Sequence, residues 1–306
     1  MGELNMKVYK FEHSAVSNQL RHVDRLIQND KNEDIDPERT PQNYSLTPYI
    51  GITKDAYQAN KEARDTVKRQ ELAYYNQRKS EVYCYNRADV KTMASCIVTL
   101  PKEITDPAEI EKFFASTTEF LSKRYGGTPT PDGREYPNVV SATVHFDERA
   151  MGQPHLHFYW IPTVKIDHAA LSAKRNHPKA MDDFEEKISA KEVLTKADLK
   201  TLHQDLQKHL DENGIAGRVL MKKEGAGKRI DLSVAQLKTI TDMTGVTIDR
   251  SFTVDNLVDL IRENIELKER VISLENQLSR GVEKKFGWSS SSGWGKEINE
   301  SWEKEY

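Results

Sequence analysis

Three of the chain's nine histidines fall within thirteen positions, in the segment HFDERAMGQPHLH at 145–157, beside Asp147 and Glu148. The flanking residues alternate with a period of two. In NVVSATVHF, Val140, Ala142, Val144 and Phe146 share one face and Ser141, Thr143 and His145 the other. In PHLHFYWIP, Leu156, Phe158 and Trp160 oppose His155, His157 and Tyr159. His155 and His157 therefore point the same way, and a neighbouring strand presenting His145 on that face completes a cluster of three imidazoles. Three ring nitrogens suit a divalent transition ion with positions left open for water and a phosphate oxygen. A lone His-x-His pair is more often partly exposed sheet surface; the phase of His145 tips the balance toward a metal. An ion there would polarise a phosphodiester and stabilise the charge that builds up on attack, so a nucleophile is still required.

The elements that must position this cluster alternate along the chain. Residues 7–13 read as a strand, followed by a helix in which Val16, Leu20, Val23 and Ile27 form the inner stripe. His22 and Arg25, three apart, are placed side by side on that helix, away from the stripe. A loop rich in Asn, Asp and Pro spans 29–48, and a helix with a moderately basic face spans 54–79. ASCIVTL at 94–100 reads as a buried strand, and a helix capped by Thr105, with Pro107 in its first turn, runs to Gly126. A charged helix from Thr195 to Asn213 turns Leu199, Leu202, Leu206 and Leu210 inward and stops at Gly214. The order predicts an α+β domain, an antiparallel sheet covered by helices.

Composition narrows the classes. A 37% hydrophobic fraction with 30% charged residues describes a chain with a core and a wet surface. No stretch approaches the apolar length of a membrane span and the N-terminus lacks an apolar leader, so the cytoplasm is the expected location. Cys84 and Cys96 suit neither a disulfide framework nor a zinc knuckle and are expected to be reduced packing residues. The net charge of −3 excludes a polycation, so any nucleic-acid contact must come from a local basic face. The densest basic cluster is RVLMKKEGAGKR, with Lys222 and Lys223 among its cations; it suits either phosphate contact or a solvated turn. Heptads at 257–278, with Asn264 at an a position, suit a homodimeric coiled coil or packing on the parent domain. The expected division is a catalytic domain over 1–250, a helical segment over 251–280 and a disordered tail over 281–306.

Four blocks in order carry a family resemblance: HVDR in the first helix, D-I-D-P-x-R with N-Y-x-L at 34–46, H-x-D-E with P-H-x-H at 145–157, and LTKADLKTLHQDLQKHLDENG. Over residues 7 to 245 the chain resembles the plasmid recombination and mobilisation relaxases of the Pre/Mob group, MobV type. The resemblance implies a histidine-hydrophobic-histidine relaxase fold. It also implies an enzyme that nicks and rejoins single-stranded plasmid DNA at an origin of transfer, hairpin and single strand both engaged, by transesterification with Mn²⁺ or Mg²⁺; three imidazoles favour Mn²⁺. By the same resemblance His145, His155 and His157 match the metal ligands, His22 the attacking group, Arg25 a cation beside it, and Glu148 a carboxylate suited to deprotonating it. Tyr44 is the rival nucleophile, with packing the loop or stacking a base as its other roles. Arg39 and Arg87 are candidate phosphate contacts. The chain departs from the family in carrying five residues, RAMGQ, between Glu148 and Pro154, a longer hairpin that could shift Glu148. The alternatives are a replication initiator or transposase of the same fold, or an inactive DNA-binding autoregulator.

Overall fold

The two histidine-bearing segments become neighbouring antiparallel strands. The computed structural model describes residues 6–26, 35–50, 54–59, 61–148, 153–172, 176–217, 239–240 and 254–286. The chain divides into two units, Met1–Met221 and Lys222–Tyr306.

In the first unit five strands make one sheet: β1 (Met6–Glu12), β2 (Tyr44–Ser45), β3 (Lys91–Thr99), β4 (Val139–His145) and β5 (His155–Trp160), ordered β1-β3-β5-β4-β2. Every pairing is antiparallel. The α+β expectation holds. A small two-stranded sheet, β6 (Thr163–Lys165) with β7 (Glu186–Ile188), follows.

Helices cover both faces. On one face lie α4 (Pro107–Tyr125) and α7 (Lys196–Glu212), whose Phe113, Phe114, Leu121, Leu202, Leu206 and Leu210 are buried with Ala142, Val144, Leu156, Phe158 and Trp160. Asp106, not Thr105, caps α4: its carboxylate accepts from the Ala108 and Glu109 amides, with Pro107 next. Thr195 caps α7, but Leu199 on that helix is exposed rather than inward. On the other face lie α1 (His13–Val23) and α3 (Lys61–Ser80), the latter preceded by the short α2 (Lys54–Ala59). Val16, Leu20, Val23 and Tyr75 pack there against Met93, Val140 and Tyr159.

Val140 corrects the alternation. The register shifts between Val139 and Ser141, so this β-bulge turns Val140 onto the α1 face while Val139 joins the α4 side. Two short helices, α5 (His168–Ser172) and α6 (Ala190–Val193), complete the first unit. In the second, α8 (Val254–Phe286) continues past Gly281, where the sequence pattern places a stop, and leaves Leu267, Val271 and Leu274 exposed. The residues expected to form the tail beyond Phe286 lie outside the described residues. Cys84 and Cys96 are both free.

Candidate metal centre

The β4–β5 register sets His145 directly opposite His155 and Thr143 opposite His157. All three histidines are buried on the α1 face. One ligand atom from each of His145, Glu148, His155 and His157 lies within 4.8 Å of the others. The Glu148 backbone bridges to Ile35 and its carboxylate, held by Arg25 at 3.0 Å, stays with the rings.

Hydrogen bonds assign the lone pairs. The Arg25 guanidinium can only donate, and it lies 2.9 Å from His145 Nδ1; the ring proton therefore sits on Nε2, which donates to the Val23 carbonyl at 2.6 Å. His155 Nδ1 donates to the Gln153 carbonyl at 3.2 Å, leaving its Nε2 as an acceptor 3.1 Å from His157 Nε2. His157 Nδ1 is buried with no partner. Burial, then the charge of Arg25, pulls His145 down to about 4, and burial takes His157 well below the ordinary imidazole value. Both rings are thus neutral at pH 7, the state a ligand needs. Burial opposes ionisation of Glu148, yet its contacts with His145 and His155 hold it far below the usual carboxylate range. Three histidine rings and one carboxylate around a common centre are donor types that suit a divalent transition ion, with the Nδ1 lone pair of His145 taken by Arg25.

The first helix lies over the same face. The His22 ring stands edge-on to His157, centroids 6.3 Å apart, and its pKa is lowered by burial and then by Arg25, against the pull of Glu148 and Asp147. Arg25 is not on the helix, which ends at Val23; it takes the left-handed conformation at φ 54, a strained choice for a residue with a Cβ. That turn aims its guanidinium inward, to Asp147 through Nε at 2.9 Å and a terminal nitrogen at 2.6 Å, and to Glu148 at 3.0 Å.

Asp147 and Asn43 carry this arrangement, and motif reading alone does not single them out. Asp147 is fully buried and accepts from Arg25, from the Thr40 hydroxyl at 2.9 Å and from the Asn43 amide at 2.8 Å. Burial alone would raise it; Arg25 and the other donors bring it to about 2. The signal that could find Asp147 is phase, since it stands two residues after His145. Asn43 in turn accepts from the Phe146 amide, tying the 35–45 loop to the end of β4.

The remaining expected residues go elsewhere. Tyr44 pairs with Val144 and so points to the α4 face, buried against Phe146 with its hydroxyl unpartnered and its pKa raised by burial. The sheet separates it from the histidines, against its candidacy as nucleophile. Arg39 sits half-buried in the loop that reaches Asp147. Arg87 is exposed and paired with Asp89 before β3, at the end of that strand away from Thr99 and His155. Lys222 and Lys223 lie outside the described residues.

The family profile described as plasmid recombination enzyme matches residues 2–218. A plasmid recombination enzyme of Lactiplantibacillus plantarum is 26% identical over 224 residues, covering 72% of this chain and 49% of that one. The type 1 enzyme of Staphylococcus aureus is 28% identical over 194 residues, covering 61% of this chain and 42% of its own. The chain therefore spans about half the length of these curated relatives or less. Among solved structures, the Mn-bound MobM relaxase domain in complex with plasmid pMV158 oriT DNA superposes with TM-score 0.52 at 20% identity, covering 78% of this chain and 98% of that one. The likeness is one of fold. Among the described residues no helix is long and apolar enough to cross a membrane. With a profile match over most of its length, the chain belongs to the Mob/Pre family of plasmid recombination enzymes.

Proposed function

We propose that this chain nicks and rejoins one strand of plasmid DNA at an origin of transfer by transesterification, with His22 as nucleophile. The observation that carries the proposal is the placement of the His22 ring beside three buried, converging histidines on one face of the sheet. His145, His155 and His157 would hold a divalent ion, which when bound supplies Lewis-acid polarisation of the phosphodiester. The manganese in the similar MobM structure supports such an ion, with Mn²⁺ ahead of Mg²⁺ for nitrogen ligands.

The chain's own groups do the rest. His22, kept neutral by burial and Arg25, offers a ring nitrogen to phosphorus. The new N–P bond forms as the P–O3′ bond breaks, leaving the 5′ phosphate on the ring and a free 3′ hydroxyl; attack by that hydroxyl reverses the step and rejoins the strand. Glu148, whose charge acts on the His22 ring, would take the imidazole proton and pass it to the departing 3′ oxygen, and Arg25 orients it by donating to it at 3.0 Å. Arg25 is thus a positioning residue, held by Asp147. Arg39, in the loop beside the site, is a phosphate contact in this scheme, whereas Arg87 is at the wrong end of β3.

The test is incubation with Mn²⁺ and a labelled supercoiled plasmid carrying the native origin, scored for nicked DNA covalently attached to protein. His22→Ala should abolish the adduct. Tight origin binding by the unaltered chain with no adduct in Mn²⁺ would replace this proposal with the autoregulator.

A further inference from the structure

Two residues of the loop before β2 point at the same oxygen of one buried carboxylate. Thr40 opens a 3-10 turn, Thr40–Gln42, and Asn43 closes it, its backbone amide donating to the Thr40 carbonyl at 3.1 Å. Three residues per turn bring the side chains at positions i and i+3 to one side. On that side the Thr40 hydroxyl donates to Asp147 Oδ2 at 2.9 Å, and the Asn43 side-chain amide donates to the same oxygen at 2.8 Å. The buried Asn43 amide has one workable orientation. The Phe146 backbone N–H can only donate, and it takes Asn43 Oδ1 at 2.8 Å, so the NH₂ group must face Asp147. A further bond, from the Asp36 amide to the Asp147 carbonyl at 2.7 Å, holds the loop against this residue.

These donors settle which way the Asp147 carboxylate lies. Its Oδ2 takes three hydrogen bonds, the two from the loop and one from Arg25 Nε at 2.9 Å, while Oδ1 takes a terminal nitrogen of the same guanidinium at 2.6 Å. A planar guanidinium meets a carboxylate as a fork when the two planes match, so fixing one plane fixes the other. The nitrogen on Oδ1 is also the one that donates to Glu148 Oε1 at 3.0 Å. The aim of Arg25 at Glu148 thus depends on the plane of Asp147. Arg25 holds this fork from a left-handed backbone at φ 54, a strained choice that persists where the surroundings over-determine it. Two neutral donors from a different part of the chain supply that extra determination.

We propose that Thr40 and Asn43 are positioning residues of the strand-transfer reaction: by holding the plane of the Asp147 carboxylate they aim Arg25 at Glu148, the base for His22. The loop thereby acts on the rate without supplying a group to the reacting atoms. The effect on rate rests on the relaxase reading above; the geometric half, that the loop donors set the Arg25 fork, does not.

The decisive comparison is at Thr40, where the hydroxyl can be removed or kept with little change of shape. With saturating Mn²⁺ and labelled plasmid carrying the native origin, Thr40→Val and Asn43→Ala should each slow adduct formation by about 10- to 100-fold, the loss seen when outer partners of a metal site are removed. The plasmid concentration that gives half the maximal rate should not change, and Thr40→Ser should retain the rate. A loop that merely shapes the DNA-binding surface would raise that concentration and leave the maximal rate intact. That outcome, or a Thr40→Val rate equal to that of the unaltered protein, overturns the proposal. Should Asn43→Ala not fold, the Thr40 variants decide alone. The geometric half is read by nitrogen-15 NMR of the full chain, following the Arg25 Nε–H signal, assigned by its loss in Arg25→Lys. Its proton should exchange with water slowly in the unaltered protein and in Thr40→Ser, and on the order of tenfold faster in Thr40→Val, the weight of one hydrogen bond. Equal exchange in all three refutes the loop's hold on the fork. Failure of the unaltered protein to form an adduct would instead strike at the relaxase reading, and the exchange measurement would still decide the geometry.

Discussion

The two faces of the central sheet are built from the same strands and buried to the same degree, yet they hold opposite chemistry. Toward α4 and α7, β4 and β5 present Ala142, Val144, Leu156, Phe158 and Trp160, all buried in one apolar cluster. Toward α1 and α3 they present Ser141, Thr143, His145, His155 and His157, equally buried but polar, with Asp24, Glu71 and Asp147 packed nearby. Apolar burial at roughly 25 cal/mol per Å² makes the first face the source of stability. Polar burial at best breaks even when every group is paired. The site is therefore carried by the opposite face, where Val140 and Tyr159 supply apolar packing and desolvation tunes the buried polar groups.

The sharpest way to break that division is to cut adjacent residues of β5. His157→Ala should abolish adduct formation and Mn²⁺ binding by calorimetry while leaving metal-free urea stability within about 1 kcal/mol, since the lost ring has an unpartnered nitrogen. Phe158→Ala, one residue along and on the other face, should cost about 3–5 kcal/mol of stability. The remaining folded molecules should still form the adduct. Equal stability losses for the two variants would mean that the faces are not separable.

Part of this division is legible in the amino-acid sequence: period-two alternation, a local property of the chain, sets the phases of His145, His155 and His157, helical spacing gives the first helix and element order gives the α+β class, whereas the placement of that helix over the histidines comes only from the family resemblance. The rest depends on events that alternation does not encode. The bulge at Val139–Ser141 moves Val140 to the opposite face, and the left-handed turn at Arg25 takes that residue off the helix where spacing places it. Tyr44 shares a short motif with Asn43, but only the pairing with Val144 reveals that Asn43 serves the site and Tyr44 the core.

Arg25 tests how tightly the polar face depends on pairing. Its removal leaves Asp147 fully buried beside Asn43 and Thr40 with no compensating cation, and breaking a buried pair in this way costs about 3 kcal/mol or more. Arg25→Ala should therefore destabilise despite lying on the polar face. Adding Asp147→Asn should recover part of the loss, because the uncompensated charge is gone. Urea midpoints of the two variants measure this, and a double variant no more stable than the single one would show that Arg25 acts through packing instead.

Tyr44 gives the smallest expected effect and the most pointed one, because it places the only polar atom of its side chain on the apolar face. Its buried hydroxyl has no partner, so it contributes desolvation cost without a hydrogen bond in return. Tyr44→Phe keeps the ring against Phe146 and deletes that cost, and it should raise stability by about 1 kcal/mol with adduct formation unchanged. Thermal unfolding and the plasmid adduct assay can be run on the same sample. Loss of the adduct in Tyr44→Phe would mean that this hydroxyl reaches DNA through a movement of β2, making Tyr44 rather than His22 the nucleophile and placing the chemistry on both faces of the sheet.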